Sequence, residues 1–472
     1  MADHPALQQL VDALPRDVVT IDPAAMTGHR RDMATFCPAG EPLALVRART
    51  EAEVVTTLAI ASEFGIPVVP QGARTGLSGA ANAVDGCILL SVERMNRILE
   101  IDAGNRIAVV EPGVLNADLS RAVGAQGLFY PPDPASWEIS TIGGNVATNA
   151  GGLCCVKYGV TRDFILAVKA ILPTGEVLRT GRQTMKGVAG YDLLGLLVGS
   201  EGTLGVITEV TVALIPAAAA PRTVAAMFPT MRAAGDAVAQ VVRSGSVPSL
   251  LEFMDTTTLR AVNAYRDFGL PTDAAAMLVA QSDAGSRADA EIEMLAQVFH
   301  DAGASEVLVA EDAEEGDLML AARRSVHFAL ERLGSALIDD VCVPRTKLAD
   351  FVAGVEKIAA DVALTIAVVG HAGDGNTHSS VIFDASDPDQ VTRAAAAFDA
   401  IMRLGLGLGG TITGEHGVGL LKRDFLEREL GDVSMRLHRA VKQAFDPQGI
   451  LNPGKVFSTD PDAAHDSASG RR

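Results

Sequence analysis

The 46 glycines of this chain are unevenly placed, gathering around residues 72–79, 143–152, 199–205, 370–375 and 405–419. Glycine loses more conformational freedom on folding than any other residue, so such runs are expensive. They are expected where backbone must approach something closely or adopt positive φ. Such runs suit main chain that approaches a ligand closely, and equally a plain glycine-rich turn. With 472 residues the chain also exceeds one ordinary core, since a domain takes roughly 150 residues. Two or three domains are expected.

The rest of the composition narrows the class. Hydrophobic residues at 48% and charged residues at 21% make a globular balance. Aromatics at 4% offer little stacking surface, and a net charge of −19 repels polyanions, so no nucleic-acid partner is expected. Cys37, Cys87, Cys154, Cys155 and Cys342 show no CxxC spacing, and an odd number leaves one over in any disulfide framework. A reducing compartment fits. The start, MADHPALQQLVDALPRD, lacks a basic head and apolar stretch, and nowhere do eighteen apolar residues run uninterrupted. The expectation is a cytoplasmic protein without a transmembrane segment, peripheral docking at the inner membrane through a partner remaining open.

Residues 1–36 read as an N-terminal helical segment. The run Leu43–Val46 leads to Thr50-Glu51-Ala52-Glu53, a capping box opening a helix that stops at Gly65 before the strand Ile66–Val69. Short β runs follow at Ile88–Val92, Ile98–Asp102 and Ile107–Glu111, and an alternating strand spans Gly205–Ile215. Residues 37–216 thus form one α+β domain. Ala217–Ala220 and Pro221 mark a linker into a second region, 217–457. There Val224–Phe228, Ser249–Met254, Ala276–Gln281 and Leu337–Val343 read as strands. Met231–Val242, Ala288–Ala302, Leu318–Leu333 and Leu348–Ala360 have helical periodicity. An antiparallel sheet covered by helices is expected, then a disordered polar tail at 458–472.

Three small-residue runs share the first domain. Pro70–Gly79 leaves a strand as a loop whose successive N–H groups can nest phosphate oxygens, without the Gly-Lys-Ser/Thr of a P-loop. Ser140–Gly152 carries hydroxyls and amides, and Gly199–Gly205 is the third. Together they can wrap an extended ligand with a pyrophosphate, a ribityl chain and a flat ring.

The ordered motifs PxGxxTGLSG, PPDP, STIGGNVATNAGG, YDLLGLLVGSEGTLGVIT, GHAGDGNTH, TGEHGVG and NPGK resemble the FAD-linked oxidases of the vanillyl-alcohol oxidase and p-cresol methylhydroxylase superfamily. Over residues 37–457 the chain is most similar to its D-lactate dehydrogenase and glycolate oxidase flavoprotein-subunit branch. The resemblance implies a two-subdomain FAD domain and a substrate domain. It implies FAD contacts at Gly72, Arg74, Thr75, Gly76 and Ser78; at Pro132, Asp133, Thr141, Gly144, Asn145, Thr148 and Gly151; at Glu201, Gly202 and Ile207; and at Asn452. Some members attach FAD to a loop histidine, but none lies between His29 and His300, so non-covalent FAD is expected. Cys154-Cys155 leaves cysteinyl attachment as the minor alternative to two buried small residues.

In the second region, strands flanking His371-Ala372-Gly373-Asp374-Gly375-Asn376-Thr377-His378 place both histidines at the ends of a hairpin. With Glu415 of Gly414-Glu415-His416-Gly417 they make a three-ligand open site for a divalent ion, Zn or Mn. A 2-hydroxy acid chelated there has an acidified hydroxyl, whose proton His416 can remove as hydride leaves C2 for the flavin. The resemblance assigns Arg323 to the substrate carboxylate, with Arg324 as the alternative. Where the D-2-hydroxyglutarate branch has a lysine, this chain has Ile338. The expected activity is FAD-dependent oxidation of a D-lactate-like acid or glycolate. Electrons would pass to a cytochrome, quinone, electron-transfer flavoprotein or iron–sulfur subunit. A non-catalytic flavoprotein subunit and a zinc hydrolase are the competing readings.

Overall fold

The computed structural model describes residues 4–458. The expected tail therefore lies outside the described residues except for Ser458. The chain divides into two compact units: residues up to Gly151, Val160–Ala217 and the stretch from Glu415 onward, and Gly152–Gly159 with Ala218–Gly414.

The first unit is built on two larger sheets beside a two-stranded pairing of Leu128–Phe129 with Ile215–Pro216. One has the strand order Val19–Thr20, Ala44–Arg47, Ile88–Ser91, Val68–Gln71, its last three strands parallel. The expected capping box is present: Thr50 Oγ1 accepts from Glu53 N at 3.3 Å and the Glu53 carboxylate accepts from Thr50 N at 3.3 Å. The helix Glu51–Phe64 that it opens ends at Gly65, φ +65°, and buries Val54, Leu58 and Ala61 against the sheet. The other sheet is antiparallel, in the order Ile98–Asp102, Ile107–Val110, Val206–Ala213, Ile165–Ile171, Val177–Gly181. Residues 450–452 return to the edge of Val68–Gln71, where Val68 N donates to Ile450 O (2.8 Å) and Asn452 N to Val68 O (2.7 Å).

The second unit is an eight-stranded antiparallel sheet with helices packed on it, as the periodicities indicate. Two expected elements are each broken in two. The helix expected over 318–333 is Ala313–Arg324 followed by Val326–Glu331. The joint is Ser325, whose hydroxyl donates back to Ala321 O at 2.7 Å, a bond that competes with helix continuation. The strand expected over Leu337–Val343 is Ser335–Ile338 and Val341–Cys342. Between them stand two wholly buried acids, Asp339 and Asp340, and Asp339 turns to accept from Val341 N.

The sheet register arranges one face of this unit. In the hairpin Thr365–His371/Asn376–Phe383, His378 lies opposite Val369, two residues from His371. Opposite residues share a face and residues two apart share a face, so both histidines project on the same side. The histidines thus stand within the strands themselves, not beyond their ends. On the neighbouring strand Leu250–Asp255, Glu252 lies directly opposite His371 and joins that face.

Candidate active site

In the first unit, the loop leaving Val68–Gln71 lies on the segment opening with Thr141. A Cβ at Gly72 would sit 2.5 Å from Thr141 Oγ1, which itself caps the helix Ile142–Thr148 by accepting from Gly144 N at 3.3 Å. Arg74 has positive φ, +60°, and its Nη1 donates to Gly72 O and Glu93 Oε2, both at 3.2 Å. Thr75 and Gly76 are half-buried and Ser78 is buried. Pro132 O accepts from Asn116 Nδ2 at 2.9 Å, and Asp133 and Thr148 are half-buried. Ile207 is buried in the second sheet opposite Ala170.

Glu201 and Asn452 tie four chain segments together. Buried Glu201, φ +50°, accepts from Val418 N at 2.7 Å and Gly419 N at 2.8 Å; burial still pushes its carboxyl up to about 7. Asn452 donates to Glu201 O (2.7 Å) and Ala80 O (2.9 Å). Buried Lys455 donates to Asn82 O at 2.6 Å, and desolvation lowers it to about 8. Gly202 has φ +72° and packs against Pro70. At Gly151 a Cβ would lie 2.4 Å from Glu415 Oε2, and neighbouring His416 Nε2 is 3.9 Å from Glu415 Oε1.

Four non-glycine residues with positive φ, Arg74, Asn149, Glu201 and Asn452, fall on these segments. Such conformations persist only where surroundings impose them and gather at ligand sites. The same segments carry buried polar atoms with no hydrogen-bond partner among the described residues: Gln71 Oε1, Ser140 Oγ and Asn145 Nδ2. Gln71 and Ser140 lie inside the runs read from the sequence, at positions to which the resemblance gave no individual contact.

The second unit brings His371 and His378 together, Nε2 to Nε2 at 3.4 Å. On its other side, His371 Nδ1 is 2.6 Å from Glu252 Oε1. Arg323 reaches the second oxygen of that carboxylate, with Nε and Nη2 both 2.9 Å from Glu252 Oε2. Of the adjacent arginines, Arg323 turns inward and Arg324 is exposed. His378 Nδ1 stands 3.7 Å from Asp340 Oδ1. Asp340 also accepts from Asn376 Nδ2 (3.1 Å) and Thr413 Oγ1 (2.6 Å), and its backbone oxygen accepts from Gly414 N (2.9 Å). His371 and His378 thus face each other through Nε2, a pair of imidazoles able to hold a divalent ion, while Asp340 stands at the opposite ring nitrogen of His378. Sequence reading gave no role to Glu252 or Asp340. The signal for Glu252 was one acid inside the apolar strand run Leu250–Met254. Cys154 and Cys155, expected to be buried, are half-exposed.

Two family models match. Residues 42–181 match the FAD binding domain and residues 217–456 the C-terminal domain of FAD linked oxidases. The chain belongs to the FAD-linked oxidases. Glycolate oxidase subunit GlcD of Bacillus subtilis (strain 168) is 42% identical over 89% of this chain and 90% of its own length. D-lactate dehydrogenase of Anaerostipes hadrus is 37% identical over 95% and 96%. In fold, the chain is similar to p-cresol methylhydroxylase solved with substrate bound, TM-score 0.81 at 20% identity over 96% of each chain. It is also similar to alkyldihydroxyacetonephosphate synthase, TM-score 0.73 at 19% identity over 96% and 86%. The protein is accordingly an FAD-linked oxidoreductase with the p-cresol methylhydroxylase fold. No helix among the described residues is long and apolar enough to cross a membrane.

The residues present fit FAD. The glycine cradle at Gly72 and the unpartnered atoms of Gln71, Ser140 and Asn145 offer close backbone approach and unused hydrogen-bonding capacity in one unit. The second unit's donors fit a divalent ion as well. Two imidazoles about 2.0–2.1 Å from one tetrahedral ion have their nitrogens roughly 3.4 Å apart. That is the separation seen here.

Proposed function

We propose that this flavoenzyme oxidises a D-2-hydroxy acid of the lactate or glycolate type to the 2-oxo acid. The observation that carries the reading is the His371–His378 pair, whose Nε2 atoms share a 3.4 Å gap beside an inward-turned arginine. The names of the two near full-length relatives, a glycolate oxidase subunit and a D-lactate dehydrogenase, support the substrate class.

His371, His378 and Glu415 hold a divalent ion, Zn or Mn, and Arg323 binds the substrate carboxylate, a task suited to a planar two-pronged cation. Glu415 follows directly on Gly414, whose N–H is bonded to Asp340 O. Bound FAD supplies a two-electron acceptor, and the ion supplies Lewis acidity toward the substrate hydroxyl. His416 removes the hydroxyl proton. FAD is held without a covalent bond by the residues of the three glycine-rich segments. Ile338 in place of a lysine disfavours a second carboxylate on the substrate. Electrons leave to an acceptor other than NAD: a cytochrome, a quinone, an electron-transfer flavoprotein or an iron–sulfur subunit.

Metal removal tests the reading. Chelation should abolish flavin reduction by substrate while the flavin spectrum remains, and a single divalent ion should restore it. Full activity in protein shown to be metal-free by elemental analysis would refute the assigned ligands.

A further inference from the structure

We propose that Glu252 is the positioning residue of the second unit's site, fixing the tautomer of His371 and the orientation of Arg323 through one carboxylate. The proposal rests on the metal reading above. Glu252 is 1% exposed on a strand whose other residues are all buried. A carboxylate so placed is tolerated only when paired and hydrogen-bonded. Both of its oxygens are engaged, Oε1 with His371 Nδ1 at 2.6 Å and Oε2 with Arg323 Nε and Nη2 at 2.9 Å.

These contacts dictate proton placement. An ionised carboxylate only accepts hydrogen bonds, so the proton of the 2.6 Å contact belongs on His371 Nδ1. The lone pair then resides on Nε2, the atom 3.4 Å from His378 Nε2. Holding the far ring nitrogen by a carboxylate both orients a metal-binding imidazole and raises its basicity. The fixed register of Glu252 opposite His371 makes the arrangement a property of the sheet. Because the same group grips Arg323, the cation-binding and anion-binding ends of the site are set by one side chain.

Glu252→Gln separates this role from simple packing. The amide has one oxygen, and Arg323 can only donate, so the oxygen faces Arg323 and the NH₂ faces His371 Nδ1. The ring proton is then driven to Nε2. The expected result is a Zn²⁺ affinity lowered about 10–100-fold, measured by competition with a chromophoric chelator on the FAD-loaded full chain. Arg323→Lys, which leaves the Glu252–His371 bond in place, should keep Zn²⁺ affinity near the parent while raising KM for the hydroxy acid. Long-range ¹H–¹⁵N spectra of histidine-labelled protein, with His371→Gln assigning the ring, should show His371 protonated on Nδ1 in the parent and on Nε2 in Glu252→Gln. Equal Zn²⁺ affinity in parent and Glu252→Gln would overturn the proposal, as would one tautomer in both. If the parent bound no Zn²⁺ the metal reading would fall. The tautomer comparison would still decide the role of Glu252.

Discussion

At Gly72 a single methyl group is enough to disturb two features. The added carbon meets Thr141 Oγ1 at 2.5 Å, and Thr141 cannot turn away without releasing the Gly144 N–H that it caps. Losing such a cap costs about 0.5–2 kcal/mol. Gly72→Ala should therefore purify with less FAD per chain and a lower Tm, read from the flavin-to-protein absorbance ratio and thermal unfolding. Full flavin content at unchanged Tm would show that the loop does not rest on Thr141. The adjacent pair Glu415 and His416 divides differently. His416→Asn should retain metal and slow flavin reduction about 10²–10⁴-fold, the usual worth of a positioned base. Glu415→Gln should lose the metal instead, and metal content with single-turnover reduction distinguishes them. Exchange of the two phenotypes would exchange the roles.

At the scale of elements, Asp255 joins a helix to a strand. It caps the helix Thr256–Tyr265 by accepting from Thr258 N at 2.7 Å and also accepts from Val368 N at 3.0 Å. Burial pushes its carboxyl up to about 6, and that of Asp339 likewise to about 6. A raised carboxyl makes the folded state bind more protons than the unfolded one between about pH 4 and pH 6. Their joint contribution to stability therefore falls as pH rises through that window and is constant above it. Asp255→Asn should show a shallower decline of Tm with pH, the share of Asp339 remaining. It should also be less stable at neutral pH, because the amide oxygen cannot serve both N–H groups as two carboxylate oxygens do. An unchanged slope would place the titration elsewhere. Such elements were unequally legible in the sequence. Alternation and the Thr50 capping box announced strands and helix because their causes are local. The break at Ser325 was hidden by helical periodicity that continues through it, and the strand pattern at 249–254 drew attention away from Glu252.

At the scale of the whole molecule, local patterns carry least of what is long-range. The return of residues 450–452 to the edge of Val68–Gln71, which the resemblance implied through Asn452, and the hold of Glu201 on Val418 and Gly419, which it did not, are contacts between segments more than two hundred residues apart. No local pattern encodes them. The cofactor class was legible through the ordered motifs of the resemblance, to which the three small-residue runs add room for an extended ligand, and the histidine pair drew notice because two of nine histidines share one short motif. The central claim, oxidation of a D-2-hydroxy acid by bound flavin, is tested most directly by anaerobic stopped-flow mixing of the oxidised protein with D-lactate, L-lactate and glycolate. Rapid bleaching of the flavin by D-lactate or glycolate, with formation of the matching 2-oxo acid and little reaction of L-lactate, is the expected result. A metal-replete, FAD-loaded protein whose flavin stays oxidised with all three, or is reduced by L-lactate alone, would contradict it.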